Sequence, residues 1–396
     1  MAGRRRAWGS GAVGFCLLSA SLTGCHGQSA VDSARTEVQH VLDRRAAALL
    51  GHDETAYGRT GTRTPYENLR GVPLASWTYR VTGARRSGAT ATADAELSYR
   101  VGGYDKAPVT TARRLTLRLT ADGRWYVDSD RPAVKSDQQL WDQGAVKAVE
   151  GAHSLVLGTG QPEGTLRTYA RLADRAVPAV SQAWGTRWTR RVVVLVPRSL
   201  EGMAGLLGSP PSSYRGIAAV TTGEAGGSGR APADRVVVNP EAYAMLGAVG
   251  KQVVITHETT HVATRADTTA ATPLWLSEGY ADWVAYRDTD RAPSDAAPEL
   301  ARAVRGGGVP AQLPTDQDFG FSNDPARLAR AYEGGWLACR MIADRWGESR
   351  LDAFYRAVGA HNSRPGAVAR ALKQVLDTTP GAFTTDWRNY VDAQLG

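Results

Sequence analysis

The sequence predicts an α+β protein built in two parts, and three observations carry that prediction. A helical apolar pattern over residues 34–50 gives way at Ser76 to apolar residues at every second position. The run Val192-Val193-Val194-Leu195-Val196 has the length and β-branched content of a buried strand. From residue 273 to the C-terminus the spacing returns to a helical period. One helix with an antiparallel sheet, then further strands giving way to helices, is an α+β arrangement of layers.

Taken in order, the chain opens with Arg4-Arg5-Arg6 and a short, mostly apolar stretch from Ala12 to Leu22. That stretch is too short to span a bilayer and has the layout of a signal peptide, here residues 1–24. Leu22-Thr23-Gly24-Cys25 resembles a bacterial lipobox. The resemblance implies that Cys25 becomes the lipidated first residue, with residues 25–33 a linker from the anchor. The expected location is therefore extracytoplasmic, on the cell membrane of a bacterium. With Cys16 removed and Cys25 lipidated, Cys339 is the remaining cysteine, so no intramolecular disulfide is expected. The formal charge is +8, and three of those charges are the leading arginines. The remaining excess is scattered, which suits an anionic membrane or wall surface and speaks against nucleic acid as a partner.

Residues 34–130 form the first expected domain. Val38, Val41, Leu42 and Leu49 make the apolar stripe of its helix. Strands are expected at Trp77 to Val81, Ala89 to Val101, Ala112 to Leu119 and Arg124 to Val127. Turn signals at Arg86-Ser87-Gly88, Gly102-Gly103 and Ala121-Asp122-Gly123 separate them. This order of a helix and then a curved antiparallel sheet resembles the NTF2-like group, a likeness that implies no activity. No acid–base pair is evident, and a spacer or recognition role is expected. Residues 131–144, with Pro132 and many polar residues, read as a linker.

Residues 145–396 form the second expected domain. Strands are expected over Val146 to Leu157, Arg191 to Val196, Gly216 to Thr221 and Arg235 to Val238, with a helix over Leu166 to Trp184. Thr222 to Pro232 is rich in glycine and reads as a loop. The stretch Val253 to Val262 then contains His257-Glu258-Thr259-Thr260-His261. On a helix the two histidines sit one turn apart on one face, the spacing at which two imidazoles bind one zinc ion. Glu258 lies beside the first of them and can serve as general base on a water at the open metal position. A catalytic zinc needs a third protein ligand, and Glu278 in Leu276-Ser277-Glu278-Gly279-Tyr280-Ala281-Asp282 supplies it. Asp282, four residues on, shares a helical face with Glu278 and can accept the free ring N–H of a ligand histidine. His40, His52, His153 and His361 lack ligand companions and read as structural or surface residues. Trp336, Trp346, Phe354 and Trp387 read as core, as does Cys339.

These residues resemble the gluzincins, thermolysin-like metallopeptidases with His-Glu-x-x-His and a later Glu ligand. The pattern from Leu276 to Ala281 is similar to that of aminopeptidase-type gluzincins and of bacterial peptidase MA-like domains. The likeness spans about residues 145–396 and implies a zinc helix, a small mixed sheet and a C-terminal helical lobe. It also implies a role for Tyr332 in Ala331-Tyr332-Glu333-Gly334-Gly335. The aminopeptidase-type enzymes use a Tyr in a Tyr-x-Lys-Gly element to stabilise the tetrahedral intermediate. Here Gly334 stands in place of the Lys. The Gly-x-Met-x-Asn element that grips a substrate amine is not found before the zinc helix, so endopeptidase-like or unspecified action is favoured over aminopeptidase action. In gluzincins an edge strand beside the metal pairs with substrate, and Arg235 to Asn239 is the expected one. The expected activity is zinc-dependent hydrolysis of a peptide or protein substrate. The alternative is a surface-binding lipoprotein whose zinc site is not catalytic.

Overall fold

The computed structural model describes residues 26–223, 232–320 and 324–396, with side chains from residue 33 onwards. The signal segment, Cys25 and most of the glycine-rich loop lie outside the described residues. Helix α1 (His26–Leu50) is followed by the short helices α2 (Glu54–Gly58) and α3 (Thr64–Leu69). Four strands follow: β1 (Leu74–Ser87), β2 (Thr90–Val101), β3 (Val109–Leu119) and β4 (Trp125–Pro132). They pair antiparallel in the order β1-β2-β3-β4. Val38, Val41, Leu42 and Leu49 of α1 are buried, as the stripe predicts. The register of β1 against β2 slips between Val81 and Gly83, an irregularity that bends an edge strand. Beside that bend Gln39 of α1 meets the outward-facing backbone of β1. Its amide donates to Tyr79 O at 2.7 Å and its carbonyl accepts from Val81 N–H at 2.8 Å. Arg35 donates to Val81 O at 2.9 Å. The outer edge of β1 is thus closed by side chains of α1.

The expected linker, residues 131–144, is partly interior. Leu140 and Trp141 are buried, and the Trp141 ring lies 5.3 Å from that of Trp77 and 4.9 Å from that of Tyr99. Arg113 of β3 holds the segment from below. Its guanidinium donates to Asp130 at 2.7 Å and to both Asp142 oxygens at 2.8 and 2.9 Å. A buried guanidinium is tolerated because two carboxylates meet it.

The second sheet contains β5 (Val146–Glu150), β6 (Ser154–Thr159), β7 (Val192–Val196), β8 (Ala219–Thr221) and β9 (Arg235–Val238), in the order β5-β6-β7-β9-β8. The single strand expected over 146–157 is two strands turning at residues 151–153. β6, β7 and β9 are parallel, whereas β5 and β8 run antiparallel on the two edges. Both faces of this sheet are covered, so its inner strands read as unbroken apolar runs. On one face Val156, Val194, Val196, Val236 and Val238 pack with α4 (Glu163–Trp184) and with Ile255. On the other, Leu155, Leu157 and Val193 share a core with the first sheet and Trp141. The molecule is therefore layered as helices, mixed sheet and antiparallel sheet.

The remaining chain is helical: α5 (Leu200–Leu207), α6 (Pro240–Ala244), α7 (Ala248–Thr264), α8 (Leu274–Tyr286), α9 (Pro293–Ala296), α10 (Pro298–Arg305), α11 (Pro325–Trp346), α12 (Glu348–Gly359), α13 (Ala367–Leu376) and α14 (Pro380–Leu395). From α8 onwards these helices build a separate core that holds Trp336, Cys339, Phe354 and Trp387. Among the described residues no helix is long and apolar enough to cross a membrane.

Candidate metal centre

The centre lies where α7 crosses α8. α7 carries His257 and His261 one turn apart, and their Nε2 atoms stand 3.0 Å from each other. α8 brings Glu278, whose Oε2 lies 3.2 Å from His257 Nε2 and 3.4 Å from His261 Nε2. Donors about 2.0–2.1 Å from a common tetrahedral centre are about 3.3 Å apart, so this triangle matches a first-row cation. The charge balance points the same way. Two ring nitrogens and a carboxylate oxygen converge on one point, which must then hold a proton or a cation. Asp282, one turn beyond Glu278, approaches His257 Nδ1 at 2.7 Å. That contact places the ring proton on Nδ1 and leaves Nε2 as the ligand atom.

The surrounding charges act strongly. Burial disfavours the charged form of His257, but Asp282, Glu278 and Glu258 outweigh it and hold the imidazole well above its usual range. Burial likewise raises Glu278, yet the two histidines win and hold its carboxyl far below the usual carboxylate range. Tyr332 of α11 sits with its ring 6.4 Å from that of His257 and 5.2 Å from that of Phe319. Burial, reinforced by Glu278, Asp282 and Glu258, pushes its hydroxyl well above the usual phenol range. It therefore stays protonated and remains a hydrogen-bond donor.

Glycines fix the approach of α8 to α11. A Cβ on Gly279 would lie 2.2 Å from Gly335 O, and a Cβ on Gly335 would lie 2.7 Å from Trp275 O. The backbones touch, so Glu278 and Tyr332 are set from one crossing. Gly334, where the aminopeptidase-type element carries Lys, faces Pro314 and Trp387 within 3.0–3.4 Å of a built Cβ. Its carbonyl accepts from Trp387 Nε1 at 3.1 Å. A side chain at this position would therefore press on Pro314 and Trp387.

Glu258 is buried, and its Oε2 accepts from Thr221 Oγ1 at 2.6 Å. Glu258 O lies 3.1 Å from the same hydroxyl and shares its single proton. This corrects the expected edge strand. Arg235 to Val238 is β9, which lies inside the sheet between β7 and β8, and β8 is the edge beside α7. Thr221 is the site residue that sequence reasoning misses, because its contact spans 37 residues between a three-residue strand and a helix. Arg265, just past α7, pairs with Asp234 at 3.0 Å and donates to Thr222 O at 3.2 Å, tying the end of β8 to the helix.

No family model and no curated protein matches the chain. The solved structures it resembles include zinc metallopeptidases. Native yeast LTA4 hydrolase shares 14% identity over 69% of this chain, with a TM-score of 0.39, and the chain spans 43% of that protein's length. A two-domain M1 zinc metallopeptidase with L-arginine bound shares 11% identity over 83% of this chain and 96% of its own, with a TM-score of 0.37. An M1 zinc metallopeptidase from Deinococcus radiodurans bound to a Tyr-Ser-Ala substrate shares 12% identity over 83% and 96%, with a TM-score of 0.35.

Proposed function

We propose that the chain is a zinc-dependent metallopeptidase of gluzincin type, anchored through Cys25 to the outer face of the cytoplasmic membrane. The observation that carries the reading is the division of labour between two glutamates. Glu278 joins the histidines in the metal triangle, and Glu258, buried next to His257, is held by Thr221 instead.

His257, His261 and Glu278 hold the ion, and Asp282 fixes the tautomer of His257. A zinc ion bound there supplies Lewis acidity, acidifying a water and polarising a carbonyl. Glu258 accepts the proton of the attacking water and passes it to the leaving amine. Tyr332, kept protonated by burial and by its acidic neighbours, donates to the oxyanion. The open edge of β8 pairs with extended substrate backbone. The first domain is read as NTF2-like and as a wall against the second sheet.

The test is zinc content and turnover of the soluble chain, residues 26–396. The parent should hold about one zinc per chain, and Glu278→Ala should lose it. Glu258→Gln should keep zinc and lose hydrolysis of a broad peptide library. Turnover retained in Glu258→Gln would overturn the assignment, and a parent that binds no zinc after metal-replete expression would remove the catalytic reading.

A further inference from the structure

A cavity of about 1110 Å³ opens between the two sheets. It exceeds the usual range of small-molecule pockets, roughly 300–1000 Å³. Its floor is apolar and aromatic, with Leu157, Leu195 and Val237 from the second sheet facing Tyr99 and Trp141. Its position relative to the metal centre is specific. Thr221 holds Glu258, and the next two residues, Thr222 and Gly223, line the cavity. Val262 and Arg265, at the far end of the helix bearing the histidines, line it as well. The cavity thus adjoins the end of β8, next to the residue that holds Glu258.

Among the described residues the unpaired charges around it are mostly positive. Arg235 is met by Asp105 at 2.8 Å and Arg265 by Asp234 at 3.0 Å, so those four cancel. Lys106, Lys135 and Arg187 enter no ion pair among the described residues, and all three are exposed on the lining. They come from three separate segments: the β2–β3 turn, the chain after β4, and the loop between α4 and β7. Arg191 adds a fourth positive charge over the Tyr104 ring. Asp137 is the one lining carboxylate outside an ion pair among the described residues. Four positive charges against one negative leave an excess of positive charge, which low-dielectric walls focus into the opening.

We infer that this cavity holds a stretch of substrate remote from the cut bond, and that the stretch is acidic. The choice of a peptide as occupant rests on the peptidase reading; the charge selection rests on the cavity alone. The first domain then has a task, since its Tyr99 and Lys106, with Lys135 and Trp141 of the segment that follows it, form the wall opposite the second sheet.

The experiment reads binding without turnover. Fluorescence anisotropy of a dye-labelled, end-capped octapeptide with four glutamates is measured on full chain carrying Glu258→Gln, beside a matched peptide with four lysines. The acidic peptide should bind at least tenfold tighter. Adding Lys106→Glu with Lys135→Glu should cost at least tenfold in affinity for the acidic peptide. Adding Arg44→Glu with Arg85→Glu, two exposed arginines away from the cavity, should cost less than threefold. Equal loss in the two charge-reversed pairs would reduce the effect to bulk charge and overturn the inference, as would no loss in either or equal binding of the two peptides. Charge-selective binding to a chain that hydrolyses no peptide would leave the cavity assignment standing and the peptidase reading fallen. Hydrolysis without charge-selective binding would do the reverse.

Discussion

Removing Asp282 tests whether the metal triangle is held from outside. Its Oδ1 lies 2.7 Å from His257 Nδ1, and the carboxylate is largely buried. Asp282→Ala deletes an acceptor and a negative charge, leaving the Nδ1–H unpaired and the ring free to turn. Loss of such an outer partner weakens metal binding about 10- to 100-fold, or about 1.4–2.7 kcal/mol. Asp282→Asn keeps an acceptor oxygen and loses the charge, so its deficit should be about tenfold or less. Protons modulate the result with a definite sign. Asp282 is the largest of the charges holding the His257 imidazole above its usual range. Deleting it weakens the proton that competes with zinc, which offsets part of the deficit at low pH. The deficit should therefore grow as pH rises and level off once the parent imidazole is neutral. Competition against a chromophoric chelator from pH 6 to pH 9 reads this directly. Affinity of Asp282→Ala within threefold of the parent across that range would refute the orienting role.

Thr221→Val removes the donor to Glu258 Oε2 while keeping the side-chain volume. A hydrogen bond to a charged group contributes about 1.5–3 kcal/mol, so kcat should fall about tenfold or more with zinc content unchanged, as steady-state kinetics and metal analysis would show. Gly279→Ala places a methyl group 2.2 Å from Gly335 O. Overpacking of this kind costs about 1–3 kcal/mol, seen as a lower urea midpoint, and it should also weaken zinc binding because Glu278 is the adjacent residue. Glu333 caps α10 by accepting from Glu299 N–H at 3.2 Å and Leu300 N–H at 2.5 Å, and burial pushes its carboxyl up to about 7. A carboxyl raised from 4.5 holds its proton in the folded chain when the unfolded chain has lost it. Stability should thus fall as pH rises from about 4.5 to 7, by about 1–2 kcal/mol after allowance for solvent screening. Urea midpoints at pH 5 and pH 7.5 should show that fall in the parent and less of it in Glu333→Gln.

What was legible in the sequence was local. The stripe of α1 is written in a period of 3.6, and the first sheet in a period of two. The two histidines and the Glu278–Asp282 pair are written as helical neighbours, and each pair shares a helix face in the structure. Pairing order is not local. Strand β8 has three residues, too few to show an alternation, and it reaches the edge only because it folds back antiparallel on β9. Thr221 therefore gave no sign of its bond to Glu258. The segment 131–144 misled for a similar reason. Its polar residues suggest a tether, but Asp142 answers Arg113 and Trp141 answers Trp77 and Tyr99, partners that only the closed sheet supplies.

The core shared by Leu155, Leu157, Val193 and Trp141 with the first sheet couples the two halves of the chain. A fragment starting at residue 145 would turn Leu155, Leu157 and Val193 towards water, so it should be less stable than the whole chain and show a lower urea midpoint. The stability of the half that bears the histidines is thus partly supplied by strands that never approach them.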